Sequence, residues 1–477
     1  MKAIRLNRIH CIQFIVTLSM ALMYIFWGNI LFKYNDDLML NMTASGAYGS
    51  DSQYLIYMNI IYGYILKFLF HTISGVNWYL WVMMLGNIMG IYYICRMLGD
   101  RFSPYVSVLI TVAVDVVLVN EFFEELQYTK TALLLSVVGF ALLSEGLLGK
   151  RGKAVFIEGG IFLFFGSIVR FNCVLYVLPF WICALAYGFV QKRIKPQKLA
   201  IAATAVLLGL FAVYGIDKLA YAGRPEWKEY MEYNQIRQDI IDHYRPVYSE
   251  HAEEYAALGI SEAEMMMWEA YYFYDTEHFS LEKLRAVRDI LYRDGQASLR
   301  IDTQVIFNTF EIIANRLETY VIPAIWLLIL CMAIIFGRKE QGILAVVLSG
   351  AILAGYWYMV CIGRVQWRVE VGSWLGAIVL FAVCVDRIVI TEDIYKKGLC
   401  VAAAVLLICI YTAGLFWNYR RNGYQSGTGN AGNVEFFEAI RENEDSFYFG
   451  DIGMTCVLFV DNIFELNGNY VDYLSNF

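Results

Sequence analysis

The chain has 477 residues, 59% of them hydrophobic and only 17% charged, with a net charge of −7. That balance excludes an ordinary soluble domain, and the absence of any basic stripe excludes a nucleic-acid partner. Almost all of the 10 cysteines sit inside apolar runs, at spacings that fit neither a disulfide framework nor a metal site, so they read as packing residues.

Taken in chain order, apolar runs near the length needed to cross hydrocarbon predict about eleven spans. They cover 11–33, 78–98, 105–120, 131–149, 154–169, 172–190, 199–219, 318–337, 343–362, 371–389 and 399–417. The first run is long and lacks a small-residue cleavage site before Asn35, which makes it an anchor rather than a removed signal. The expected fold class is an all-α polytopic integral membrane protein, and its first partner is the lipid bilayer.

Lys and Arg in the short loops orient the spans. Lys2, Arg5 and Arg8 precede the first. Arg96 and Arg101, then Lys150, Arg151 and Lys153, then Lys192, Arg193, Lys195 and Lys198, then Arg338 and Lys339, then Arg387, Lys396 and Lys397 mark alternate loops. With the N-terminus inside, every inner turn is basic. The loop 34–77, the acidic turn "NEFFEELQYTKT", the segment 220–317 and the tail then face outward. The run "YLIYMNIIYGYILKFLF" at 54–70 would invert the later loops if it crossed. Its Asn59, Gly63, Lys67 and His71 recur every fourth residue, which predicts a polar stripe on a helix lying in the membrane interface.

The organisation that follows has four parts. Residues 1–219 form an N-terminal transmembrane module carrying the outer loop 34–77. Residues 220–317 form an extracytoplasmic helical segment. Residues 318–417 hold the C-terminal transmembrane helices, and 418–477 an extracytoplasmic tail. Within the segment, "RPEWKEYMEYNQIRQDIIDHY" predicts an amphipathic helix with Trp227, Tyr230, Met231 and Asn234 on one side. Ser261 and Glu264 make a capping-box pattern ahead of a second helix, and a third starts at Ser280. The tail opens on the linker "NGYQSGTGNAGN" and continues as a small α/β unit with strand-like runs "SFYFGDIG" and "TCVLFVD".

Two adjacent carboxylates, Asp36 and Asp37, follow the first span at once. A carboxylate there is either part of a solvated acidic loop, a general base on a hydroxyl, or a ligand for a divalent cation. Glu121, Glu124 and Glu125 in the second outer loop are either a solvated acidic turn or cation ligands, and their pattern does not clearly match a metal motif. Asp115 lies inside a span, where a charge costs on the order of 2.5–3.5 kcal/mol on insertion scales, so a partner or a function is expected for it.

The order of a basic inner tail, a first span, an Asp-Asp pair, a Gly-rich turn, an interfacial helix and a second span resembles the GT-C fold of membrane glycosyltransferases. The run "YNDDLMLNMTASGAYGSDSQYLIYMNIIYGYILKFLF", with "LQYTKTA" and "RPEWKEYMEYNQIR", is similar to uncharacterised bacterial members of that group. The resemblance implies an enzyme of the cytoplasmic membrane with its active site facing outside. It would transfer a sugar from a polyprenyl-phosphate-linked donor to a glycan, lipid or protein acceptor. GT-C enzymes place an essential acid in the first outer loop, which here implies Asp36 or Asp37, with Asp36 preferred as the first of the pair. Some relatives bind a metal; no redox cofactor is implied here, and the resemblance leaves a divalent cation, Mg or Mn, open. Arg170, at the outer end of two apolar runs, either snorkels or holds the donor phosphate. Arg364 and Arg368 are further phosphate candidates, and Gln127 and Lys130 could contact donor or acceptor. Two alternatives stand beside this reading: a surface-polysaccharide polymerase or ligase, which typically relies on outer-loop Arg and His, and a transporter or lipid flippase, which typically shows broken helices and repeated halves.

Overall fold

The computed structural model describes residues 2–385 apart from 28–29, 33–34, 48–49, 245, 270–278, 294–298 and 300. The last predicted span, 399–417, the basic residues Arg387, Lys396 and Lys397, and the tail 418–477 lie outside the described residues. In chain order the elements are α1 (Lys2–Trp27), β1 (Leu31–Phe32), α2 (Asn35–Ser45), α3 (Ile60–Thr72), α4 (Trp78–Gly99), α5 (Pro104–Phe123), β2 (Glu125–Leu126), α6 (Tyr128–Leu147), α7 (Ala154–Val169), α8 (Phe171–Val190) and α9 (Pro196–Ala222). They continue with α10 (Pro225–Gln238), a π-helical turn Asp239–Tyr244, a 3-10 turn Tyr248–Glu250, α11 (Ala252–Ala257), α12 (Glu262–Glu269), α13 (Leu281–Arg293), α14 (Thr303–Thr319), α15 (Val321–Ile335), α16 (Lys339–Cys361) and α17 (Trp367–Cys384).

The chain is an all-helical polytopic membrane protein with eight helices long and apolar enough to cross a bilayer among the described residues. They are α4, α5, α6, α8, α9, α16, α17 and the Arg8–Trp27 part of α1. Two predicted spans fall short. The helix at 154–169 has 16 residues, about 24 Å at 1.5 Å per residue, against a hydrocarbon core of about 30 Å. The one at 318–337 shrinks to the 15 residues of α15. Counting α14 and α15 as one broken span raises the number to nine.

The chain divides into two units. The first takes residues 1–215, 319–352 and 371 onward. Its central helix is α6, buried at every position. Glycine allows α7 to approach it. A Cβ on Gly139 would stand 2.7 Å from Leu163 Cγ and 2.9 Å from its backbone nitrogen, and one on Gly166 would stand 2.7 Å from Ser136 Oγ. Close helix contact through small residues is the usual device where lipid supplies no hydrophobic drive.

A polar seam joins α1 to α4 and α5. Gln13 donates to the Cys95 carbonyl, Ser107 Oγ and Thr111 Oγ1 at 3.0, 3.2 and 3.1 Å. Asp115 is fully buried and accepts from Thr17 Oγ1 at 3.0 Å and from the Cys95 thiol at 3.4 Å. The partner that a buried acid demands is thus a hydroxyl from the first helix.

The basic loops meet at one point. Arg101 Nη1 donates to the carbonyl of Ala382 and, at 2.7 Å, to that of Val385. Lys150 Nζ reaches the Val383 carbonyl at 2.5 Å, and Arg193 Nη1 the Cys384 carbonyl at 3.0 Å. These are the end carbonyls of α17, which have no partner within the helix and carry its negative dipole end. Asp100 accepts from His10 and Arg151 at 2.6 Å each beside them. The start of α1, the three basic loops 100–103, 148–153 and 191–195, and the end of α17 therefore share one end of this unit.

The second unit takes residues 216–318 and 353–370. Its core gathers Ile236, Ile240, Trp268, Phe279, Leu284 and Val287. The capping box forms as expected, with Glu264 Oε2 accepting from the Ser261 amide at 2.6 Å and Ser261 Oγ from the Glu264 amide at 3.3 Å. The predicted helix forms as α10, with Asn234 buried, Trp227 and Met231 half-buried and Tyr230 exposed. Ile236 is buried beside Asn234 and the core continues into Ile240 of the π turn.

Candidate functional site

The parallel pairing of β1 with β2, Leu31 opposite Glu125 and Phe32 opposite Leu126, ties the turn after α1 to the turn after α5. α2 then begins at once, which puts Asp36 and Asp37 in a helical first turn. Negative side chains are favoured there by the exposed amides and the helix dipole.

The two carboxylates have different surroundings. Asp37 is fully buried. Its Oδ1 accepts from the Tyr79 hydroxyl of α4 and from the Tyr128 amide of α6, each at 3.0 Å. The Tyr128 amide opens α6, whose first N–H groups have no partner inside the helix. Gln127 satisfies the next two, its Oε1 accepting from the amides of Thr129 and Lys130 at 2.6 and 3.3 Å. Asp37 is thus a second cap on α6, donated by a distant helix. Burial, then the Asp37 charge, pushes the Tyr62 hydroxyl well above the usual tyrosine range.

Asp36 is only half-buried. It lies within electrostatic reach of Arg170. Arg170 occupies the extended break between α7 and α8. Its Nη1 donates to the Tyr128 hydroxyl at 2.9 Å and to Thr129 Oγ1 at 2.5 Å, and its guanidinium lies 5.0 Å from the centroid of the Tyr128 ring. Tyr57 stacks on that ring, centroids 6.4 Å apart. The arginine is therefore fixed in position, and not an extended side chain reaching for the surface.

Lys130 and Gln127 are both buried. Gln127 is an N-cap, and Lys130 is turned to the acids, 2.6 Å from Glu121 Oε1 and 3.5 Å from Glu125 Oε2. The acidic turn is therefore partly neutralised from inside. Burial, then the neighbouring Glu125 charge, pushes the Glu124 carboxyl up to about 7. Among the described residues no group of three or more His, Cys, Asp or Glu side chains is placed to hold a metal ion.

Arg364 and Arg368 belong to the second unit. Arg364 pairs with Asp242 at 2.6 Å, and Arg368 is buried with its Nε 2.7 Å from Gln366 Oε1. Arg316, which was not singled out in the sequence, grips the buried Glu370 with two bonds of 2.7 and 2.9 Å, and Tyr356 adds a third at 2.8 Å.

The stripe on the 54–70 run meets the loop that precedes it. The helix starts at Ile60, with Asn59 as its cap. Gly63 packs on the backbone of Gln53, where a Cβ would fall 1.9 Å from the carbonyl oxygen. Lys67 and His71 lie 3.4 and 3.3 Å from Asp51 Oδ2. Asp51, at the end of that loop, is thereby held against α3, with Lys67 part-exposed and His71 exposed.

Tyr57, Tyr79, Tyr128 and Thr129 frame the candidate site and were not picked out in the sequence. With 35 tyrosines in the chain, residue type alone could not single them out. Gln127 caps the helix that Tyr128 and Thr129 open, but Gln is not among the residues that mark a helix start in a sequence. No protein-family model, curated protein or solved structure matches this chain.

Proposed function

We propose that the chain is a membrane glycosyltransferase of GT-C type that uses a polyprenyl-phosphate-linked sugar. The observation that carries this reading is a half-buried carboxylate, Asp36, within electrostatic reach of a guanidinium, Arg170, fixed on Tyr128 and Thr129, in a setting where its neighbour Asp37 is committed to capping. Asp36 is the base and Arg170 the phosphate-binding group. The acceptor hydroxyl oxygen attacks the anomeric carbon and its proton passes to Asp36. The bond from that carbon to the phosphate oxygen breaks, and polyprenyl phosphate leaves with the electron pair. Arg170 offsets the charge that grows on the departing phosphate. The result is inversion in a single displacement. No step is assigned to Mg or Mn.

The test uses the full chain in proteoliposomes with polyprenyl-phosphate sugars and an outward acceptor. Asp36→Asn removes the base, a loss of roughly 10²–10⁴ in rate, and leaves donor binding intact. Arg170→Lys keeps the charge but not the planar fork, and weakens donor binding. Transfer at the parent rate by Asp36→Asn, or unchanged donor affinity in a folded Arg170→Ala, sinks the assignment.

A further inference from the structure

Helix α14 in the second unit exposes two adjoining stripes of opposite chemistry. Ile306, Phe307 and Phe310 are 44, 63 and 57% exposed on one. Gln304, Glu311, Asn315 and Glu318 are exposed on the other. Val305 and Thr309, on the remaining side, are the buried residues that seat the helix. A surface helix of a soluble unit would turn its apolar face inward. Here that face opens instead on a groove of about 290 Å³, in which Ile301, Ile306 and Phe310 stand opposite Leu353, Ala354 and Trp357.

The far wall of that groove names the occupant. Leu353, Ala354 and Trp357 belong to α16, which is long and apolar enough to cross a bilayer. Exposed Ile343, Val346 and Val347 continue the same apolar surface along α16. The groove is thus continuous with a surface that lipid must cover. α14 cannot itself run through the hydrocarbon without burying Glu311 and Glu318 there, at several kcal/mol apiece on insertion scales. A helix with one apolar and one polar face resolves this by lying at the headgroup boundary. Its cation Arg316 is turned to Glu370, and its exposed charges Glu311 and Glu318 are acidic, so nothing on the helix calls for anionic lipid.

We propose that α14 lies in the membrane interface, its Ile306–Phe307–Phe310 face sunk among the acyl chains of bilayer phospholipid, with one acyl chain in the groove against Leu353 and Trp357. The proposal stands independently of the transferase reading. Spin labels are placed singly at 307, 310, 311 and 315 of the full chain, in a cysteine-depleted background and in phosphatidylcholine nanodiscs. Accessibility to oxygen, which partitions into lipid, is compared with that to a water-soluble nickel chelate. The expected result is a several-fold higher oxygen-to-nickel ratio at 307 and 310 than at 311 and 315. High nickel access on both faces would put the helix in water. Low access to both reagents at 307 and 310 would put a second protein surface on that face. High oxygen access on both faces would make α14 half of a broken span. A pattern that appears only after phosphatidylglycerol is added would make charge the driving force. Each of these overturns the proposal. Should a label at 310 disturb the groove, 306 lies on the same face and is subject to the same outcomes.

Discussion

Replacing Asp37 by alanine strands two buried donors at once, the Tyr79 hydroxyl and the Tyr128 amide. Each buried donor left unpaired costs about 1–3 kcal/mol, so the pair predicts a loss of about 2–6 kcal/mol. Asparagine is the informative contrast. Both donors converge on Oδ1 alone, so an amide oxygen in that place keeps both bonds and loses only their charge assistance, a loss expected at the scale of one ordinary hydrogen bond, about 1 kcal/mol. The assay is thermal unfolding of the purified full chain, followed by monodispersity on gel filtration, for parent, Asp37→Asn, Asp37→Ala and Asp36→Ala. The expected order of Tm is parent and Asp36→Ala together, Asp37→Asn slightly lower, and Asp37→Ala far below. If Asp37→Ala melts with the parent, the capping role is wrong. If Asp37→Asn keeps its Tm but abolishes turnover while Asp36→Asn does not, the chemistry belongs to Asp37.

Glu124 predicts a pH effect. Its carboxyl, raised to about 7 from an ordinary 4.5, keeps its proton in the folded protein where the unfolded chain has lost it; stability therefore declines as pH rises between those values, and the penalty is complete above 7. Glu124→Gln should flatten the dependence of Tm on pH across that window, and an unchanged profile would refute the assignment. Gly139→Ala should lower Tm, because the new Cβ meets the Leu163 backbone at 2.9 Å, whereas Gly160→Ala meets nothing within 4 Å and should be neutral. Arg364→Met should lower the Tm by leaving Asp242 without its cation while donor binding is unchanged; a loss of donor affinity at parent Tm would restore Arg364 as a phosphate ligand.

Much of the fold was legible because it rests on local signals. Apolar run length placed the eight crossing helices, and Ser261 with Glu264 marked a helix start that formed as drawn. What could not be read was set by contacts distant in sequence. Nothing local to Asp37 announces that its acceptor serves Tyr79 and Tyr128, 42 and 91 residues away. The period of the stripe at Asn59, Gly63, Lys67 and His71 was legible, but its contact with Asp51 was not, since a periodic polar face does not name the loop that folds back on it. Arg364 and Arg170 look alike in the sequence, each at the end of an apolar run. Only the structure pairs one with Asp242 and sets the other among tyrosines near Asp36.

The cations gathered on the end of α17 bear on how the chain is threaded. Flanking charge favours keeping the end of α17 on the inner side, since Arg387, Lys396 and Lys397 follow it. That same end docks where Arg101, Lys150 and Arg193 stand. Those three side chains belong to loops that leave the ribosome well before residue 382. The helix is thus oriented by its own flanks and by its predecessors together, and the earlier loops act as an internal template for the later hairpin.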